Sequence, residues 1–556
     1  MLRIVVSLVL VGFALPVVAA ELAPSPRFKP APMPMTGLTP SVVVPNLCSL
    51  KYPAGTTSAE CQTFCDQGLG YYYSYVWMEA ARCFETALTF DPDCAFAWLG
   101  LHRAIEKWGK SSPGPNAHLA AVGGAVFANV PERIAKGPKD YSLDRAKVLM
   151  PKAPHPVQLL IQAKLQEKGM WPNVGPEERK KKAQATLDEL LTIYGDDQEG
   201  WYARAQIAEG VNAQVPIYKA LLKVNPIHPG ANHELVHFYE NFKRPALGWP
   251  YAEGYMKSSP GIPHAFHMQS HLAMRIGKWQ FSSDWSSRAV AMEADYHKLL
   301  GVKSSDDHQF YHHLETLTRS LVHDGRFAET DAIKKQAQGH SYNFRPEWFR
   351  MALGRHDWTE ATKLIEFFRK SDKPTAAYYA AVVALEQGNT AAAAAEVDVI
   401  RQAAQSKKAD KRLETRLWEV QGWLLCQTGQ GEAGSKLLQR AVEKTKDDYN
   451  AHAWAGGAYF MEIWGTAALD AGIAVDAEEA FQEALAHDSG SVRGALGMWA
   501  LCSRLGRTEE AERFLKVAHR CWAKAEPKDF EKMQDDFARR AQRVPTTATT
   551  LTGAGS

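Results

Sequence analysis

The chain has 556 residues, 46% of them hydrophobic and 23% charged, with a formal net charge of +2. This length suits several domains or one long repeat array, and the composition is that of a folded protein rather than a disordered one. So small a charge excludes the strong electrostatic pull toward nucleic acid or acidic membrane that a basic chain would have, and the run RKKKAQ at 179–184 reads as a solvated helix face.

The N-terminus, MLRIVVSLVLVGFALPVVAAELAPSP, joins one arginine to a short apolar stretch, with Val18 and Ala20 ahead of Glu21. That is the pattern of a secretory signal peptide over 1–20, giving an exported protein, periplasmic or extracellular. The other reading, an uncleaved anchor, calls for a longer apolar run. No cysteine follows the cleavage point, which argues against a lipoprotein, and no later segment is apolar enough for a membrane span. Residues 21–58 are proline-rich and read as an extended linker.

Eight cysteines fit an oxidising compartment. Five crowd near the start, Cys48, Cys61, Cys65, Cys83 and Cys94; the others are Cys426, Cys502 and Cys521. Cys61 and Cys65 stand one helical turn apart, a poor geometry for bonding each other. Each is expected to pair elsewhere in the group, one of them with Cys48, and a thiolate metal site is the alternative. A Cys502–Cys521 bridge would join the two helices of the last hairpin. There is no C-x-x-C-H motif for haem attachment.

From residue 59 onward apolar residues recur at helical spacing, with glycine and proline in short loops and almost no strand signal. Phe64, Gly68, Tyr71, Ala80, Phe84, Ala87 and Pro92 fall at the signature spacings of a tetratricopeptide repeat (TPR). A second good unit covers 496–522, with Gly506, Ala511 and Ala518 at the usual offsets, and Gly354 and Gly388 lie one 34-residue repeat apart. A lone hairpin cannot bury its apolar face, so the units stack. The fold class is therefore all-α, a TPR-type solenoid of helical hairpins. It comprises an N-terminal unit with the cysteine cluster (59–110), a helical region (111–225), central units (226–340), C-terminal units (341–540) and a disordered tail (541–556).

The central units carry the chemistry. HPGANHELVHFYE at 228–240 contains H-E-x-x-H, the pattern of a zinc-protease helix in which Glu234 would be the general base. Yet His233 and His237 recur 34 residues later as His267 and His271, and the residues between that second pair are Met268, Gln269 and Ser270. The histidines repeat and the glutamate does not. Counted from Gly277, His264, His267 and His271 fall on the face that lines the concave groove of a TPR array. A third pair, His308 and His312 with Glu315 one turn on, follows at a spacing of 41. Histidines four apart share one helix face at about 6 Å, and neighbouring helices pack about 10 Å apart. Imidazoles from adjacent helices can then meet at one divalent ion, zinc or another transition metal, or at two, with nitrogen–metal distances of about 2.0–2.1 Å. Glu240 would add an oxygen ligand or orient an imidazole. The alternative is that the histidines only hydrogen-bond within the packing or bind an anion when protonated.

These boxes resemble a family of exported bacterial TPR proteins whose biochemical activity is unassigned. The resemblance covers about 60–525. It rests on DQGL at 66–69, DPDCAFAWLG at 91–100, the box from His228 to His237, the H-M-x-S-H box from His267 to His271, a histidine box around His312, and GRTEEAERF and CWAKAE near the end. It implies the fold and the histidine site but no reaction. Glu234 departs from it, standing where an aromatic is expected, and the His308, His312, His313 and Glu315 box is denser than the family pattern. The function expected is a scaffold that recruits a peptide or partner protein in a metal-binding groove; a metal-dependent hydrolase is the second reading and proteolysis the third.

Overall fold

The computed structural model describes residues 31–109, 138–406, 411–446 and 458–546; residues 1–20, read above as a signal peptide, and the last ten residues lie outside these. Among the described residues the regular structure is helical throughout, with no strand, as the all-α reading requires. No helix there is long and apolar enough to cross a membrane. Consecutive helices pack as antiparallel hairpins, beginning with α1 (Ala59–Tyr73) on α2 (Trp77–Phe90) and α2 on α3 (Ala95–Trp108). Side-chain caps open many of them: Ser58, Asp197 and Ser491 each accept from a backbone N–H in the first turn.

The repeat shows in how the helices touch. The Phe84 ring on α2 lies between Gly68 of α1 and Gly100 of α3, where a Cβ on Gly100 would overlap it. Far along the chain Phe481 lies between Gly465 and Gly497 in the same way. Each phenylalanine stands sixteen residues from both of its glycines. The missing side chains let three helices close on one aromatic wedge.

Residues 31–58 are extended, as their prolines dictate, but they are not a linker. Met33, Met35, Leu38, Leu47, Leu50 and Tyr52 are buried in the first core. Side chains of α1 and α2 stand in for a partner strand: Glu85 accepts from the N–H groups of Met35 (2.6 Å) and Thr36 (2.8 Å), and Gln67 accepts from Val44 (2.9 Å). Further on, Ser49 N–H donates to Ser258 O at 2.7 Å and Gly261 N–H to Leu47 O at 3.2 Å, so the segment straps the first hairpin to the middle of the chain. Overall composition hid the apolar residues that do this.

The stack also closes on itself. Tyr296 donates to Glu79 (3.1 Å) and Arg82 to Leu300 O (3.1 Å), joining α2 to residues more than 200 positions away. On the other side Trp279 donates to Asp488 and Trp522 to His323 O. Gly277, with φ 71°, turns the chain where the backbone at Ser489 and Gly490 comes so close that a side chain would collide. First and last units thus both lean on the centre.

Two outcomes follow from this packing. Gly100→Ala drives a methyl into the Phe84 ring and should lower stability by about 1–3 kcal/mol in urea unfolding; an unchanged midpoint would show the wedge to be loose. His102 and His228 are buried, and burial depresses them from 6.5 to about 4 and about 3. Their folded pKa lies below the unfolded value, so the neutral rings favour folding above about pH 6.5, and each costs about 1.4 kcal/mol per pH unit as pH falls from there toward 4. Unfolding at pH 7 and pH 5 measures it, and equal stability at both would refute it.

Candidate metal centre

Three helices build the centre. The first histidine helix (Pro229–Asn241) is capped by His228, whose ring accepts from Ala231 N–H, and starts with proline, as does the second (Pro263–Arg275). The third is Phe310–His323. The second packs between the other two. Helical spacing brings His233 and His237, then His264, His267 and His271, then His312 and His313 onto the facing surfaces.

Seven imidazoles meet there in three overlapping groups: His233, His237 and His264; His264, His267 and His313; His267, His271 and His312. Within each group one ring nitrogen per residue lies within 4.8 Å of the others. His233 Nε2 stands 3.0 Å from His264 Nε2, His264 Nδ1 3.4 Å from His313 Nε2, and His271 Nε2 3.1 Å from His312 Nε2. Donors about 2.0–2.1 Å from a tetrahedral ion stand about 3.3 Å from one another, so the rings already sit at coordination spacing.

The outer contacts settle where protons are. His233 Nδ1 lies 2.6 Å from Tyr73 O, a carbonyl that only accepts, so Nδ1 carries the proton and Nε2 offers a lone pair. His264 Nε2–H then donates to His233, His264 Nδ1 accepts from His313 Nε2–H, and His313 Nδ1 pairs with Glu293. Burial and Asp307 push the Glu293 carboxyl well up, so it holds the proton that this last contact requires. On the other flank burial raises Glu240, but His271, Arg275 and His237 outweigh it and hold the carboxyl at about 2. As a carboxylate Glu240 accepts from His271 Nδ1 (3.4 Å) and Arg275 (3.2 Å), leaving His271 Nε2 as a second inward lone pair. An imidazole oriented from behind by a carbonyl or carboxylate is the usual arrangement of a metal ligand.

One ring has no such support. His267, fully buried at the centre of the seven, has no hydrogen-bond partner among the described residues at Nδ1 or Nε2, and neither does His237 Nε2. Burial and the neighbouring rings hold His233, His264 and His267 well below 6.5, and burial, opposed by Glu240, leaves His271 at about 4. They are neutral donors at neutral pH, which suits a cation and disfavours the protonated, anion-binding alternative.

The structure thus brings His233, His237, Glu240, His264, His267, His271 and His312 together as the sequence suggested, with Glu315 behind His312 at 3.7 Å. His308 is a correction. The third helix starts at Phe310, so His308 lies ahead of it and stacks on Trp77, outside the three groups. Its place is taken by His313, which lies on the inward face with Phe310, Leu314 and Leu317; that apolar pattern was the available signal. Glu234 accepts from Tyr75 (3.0 Å), Tyr202 (3.1 Å) and Gln206 (3.2 Å). Its carboxylate is thus committed to holding Tyr75, whose ring lies against His233 and His237.

Residues 347–407 match the family described as tetratricopeptide repeat. No curated protein sequence matches the chain. Among solved structures, the human IFIT1 dimer with m7Gppp-AAAA is 12% identical with a TM-score of 0.26, covering 85% of this chain and 91% of that one. The Naa15/Naa10 structure bound to HypK-THB is 14% identical (TM-score 0.25, 87% and 90% covered), and yeast Tom70 is 9% identical (TM-score 0.21, 87% and 89% covered).

A buried imidazole with two unmet nitrogens destabilises the metal-free fold. In chelator-treated protein His267→Leu should therefore be neutral or stabilising, by up to about 2 kcal/mol in urea unfolding. A loss larger than that would mean His267 is satisfied without an ion.

Proposed function

We propose that this chain binds a divalent transition metal in the histidine centre and that the same repeat scaffold recruits a peptide or partner protein through its concave groove. The observation that carries the metal reading is His267, unsatisfied at both nitrogens, between the inward lone pairs of His233 and His271. His233, His237, His264, His267, His271, His312 and His313 would supply the donors, His264 and His313 once the proton chain that links them to Glu293 rearranges, with Tyr73 O, Glu240 and Glu315 behind the set. Neutral imidazoles suit zinc, copper, nickel or iron rather than magnesium or calcium. Because His264 and His267 each belong to two groups, the set accommodates one ion or two. The tetratricopeptide match supports an interaction scaffold, and a net charge of +2 gives no reason to invoke nucleic acid. The sequence of residues 1–20 supports export to the periplasm or beyond.

A metal-dependent hydrolase is the second reading. His237 and His312 are partly exposed, with side chains 31% and 37% accessible, so the cluster has an open side. A largely apolar cavity of about 610 Å³ also lies against Glu293, walled by Tyr71, Val76, Met292, Tyr296 and Leu299. A bound ion there would polarise a substrate oxygen or acidify a water. Binding alone is favoured because the Glu240 carboxylate is held by His271 and Arg275 and the Glu293 carboxyl by His313, which leaves neither free to serve as a base.

Metal analysis of the untagged protein tests the proposal. It should retain about one or two ions per chain after desalting. The double variant His267→Leu with His271→Ala should lose them while keeping its helical circular dichroism, and Glu234→Gln should retain them. Wild-type protein that takes up none of zinc, copper, nickel or iron after chelation overturns the proposal.

A further inference from the structure

A second cluster lies in the first unit, independent of the histidines. Cys61 and Cys65 stand one turn apart on α1, and Cys94 is the N-cap residue of α3. All three are buried, and their sulfurs lie within 4.8 Å of one another. The remaining thiols of the N-terminal group are elsewhere: Cys48 lies against Ser259, and Cys83 against Ser41 and Gln67. The structure contains all eight cysteines as free thiols.

The charge balance of the trio is unusual. Cys94 is drawn down to about 4 by hydrogen bonds from the Cys61 and Cys65 thiols, helped by the Ala97 N–H in the first turn of α3. Besides burial, the strongest influences on the three sulfurs are one another, Thr56, Asp91 and that backbone N–H. The pocket therefore holds one thiolate well.

We propose that Cys61, Cys65 and Cys94 form a three-sulfur site for a soft d10 cation, copper(I) above all. Metal–sulfur bonds of about 2.3 Å in a trigonal plane set the sulfurs about 4.0 Å apart, so closing on an ion asks less than about 1 Å of movement. A disulfide needs about 2.05 Å and strands the third thiol. Structural zinc takes four ligands, whereas no fourth metal-binding side chain joins this group among the described residues. Soft thiolates select copper(I). The cation enters as one of the two remaining thiols releases its proton to solvent, so that two thiolates and one thiol hold copper(I) and the net charge of the pocket is unchanged.

The test uses the full chain, reduced and free of oxygen, titrated with copper(I) against a chromogenic competitor. Thiolate-to-copper absorption in the near ultraviolet and X-ray absorption report the ligands, and neither confuses sulfur with imidazole nitrogen. The expected result is one tightly held copper with three sulfur neighbours at about 2.3 Å. This signal should persist in His267→Leu, persist in Cys83→Ser and disappear in Cys61→Ser and Cys94→Ser. Should a serine variant fail to fold, the wild-type X-ray absorption decides alone. A copper bound by nitrogen only, a reduced protein that takes up no copper(I), or a preference for zinc at the three sulfurs overturns the proposal, and none of these by itself overturns metal binding by the histidines.

Discussion

Imidazole taken out of water must satisfy two nitrogens of opposite character, and the centre of this molecule is organised around that demand. His233 settles its donor on Tyr73 O, His271 on Glu240, and His313 meets Glu293. Each of these partners is itself tied down. Arg275 also donates to Glu240 (3.2 Å), and Asp307, beside Glu293, takes hydrogen bonds from His297 (2.9 Å) and Gln309 N–H (2.9 Å). Gln309 in turn donates to Ser74 O (3.1 Å), which returns the network to the end of α1. The first hairpin is thus part of the centre, because two backbone carbonyls at its turn, Tyr73 and Ser74, serve groups that no central helix satisfies.

The same logic explains the packing of Tyr75. Its φ of 60° turns the chain after α1, and its ring covers His233, His237 and His264 while its hydroxyl is held by Glu234. A glutamate that looks like a catalytic base in the sequence is here the anchor of an aromatic cover. Helix spacing does the rest: glycines around Phe84 and Phe481 allow close approach between hairpins, and proline at the first position of two histidine helices fixes where each face begins.

Much of this was legible in the sequence. Helical periodicity gave the fold class, and the 34-residue recurrence of H-x-x-x-H placed four of the seven histidines on one surface, with His264 added by the count from Gly277, because both period and face are local properties of a helix. What failed depended on boundaries and distant contacts. The choice of His308 over His313 turned on a helix start that shifted the register by a few residues. The linker reading of 31–58 failed because sparse apolar residues among prolines reveal no periodicity, although they fill the first core. The ring-closing role of Tyr73 was invisible, since a backbone carbonyl leaves no mark in a sequence. The clustering of Cys61 and Cys65 with Cys94 required knowing that the N-cap of α3 faces the middle of α1.

Tyr73 and His233 are separated by 160 residues of chain. Joining such distant points costs loop entropy that grows only as the logarithm of length, so the closure depends far more on the quality of the joint than on how much chain lies between. An ion of the kind proposed above, bound to His233 in the closed form alone, would at a hundredfold excess over its dissociation constant add about 2.7 kcal/mol to that closure. Occupancy would then hold the first hairpin against the middle of the chain.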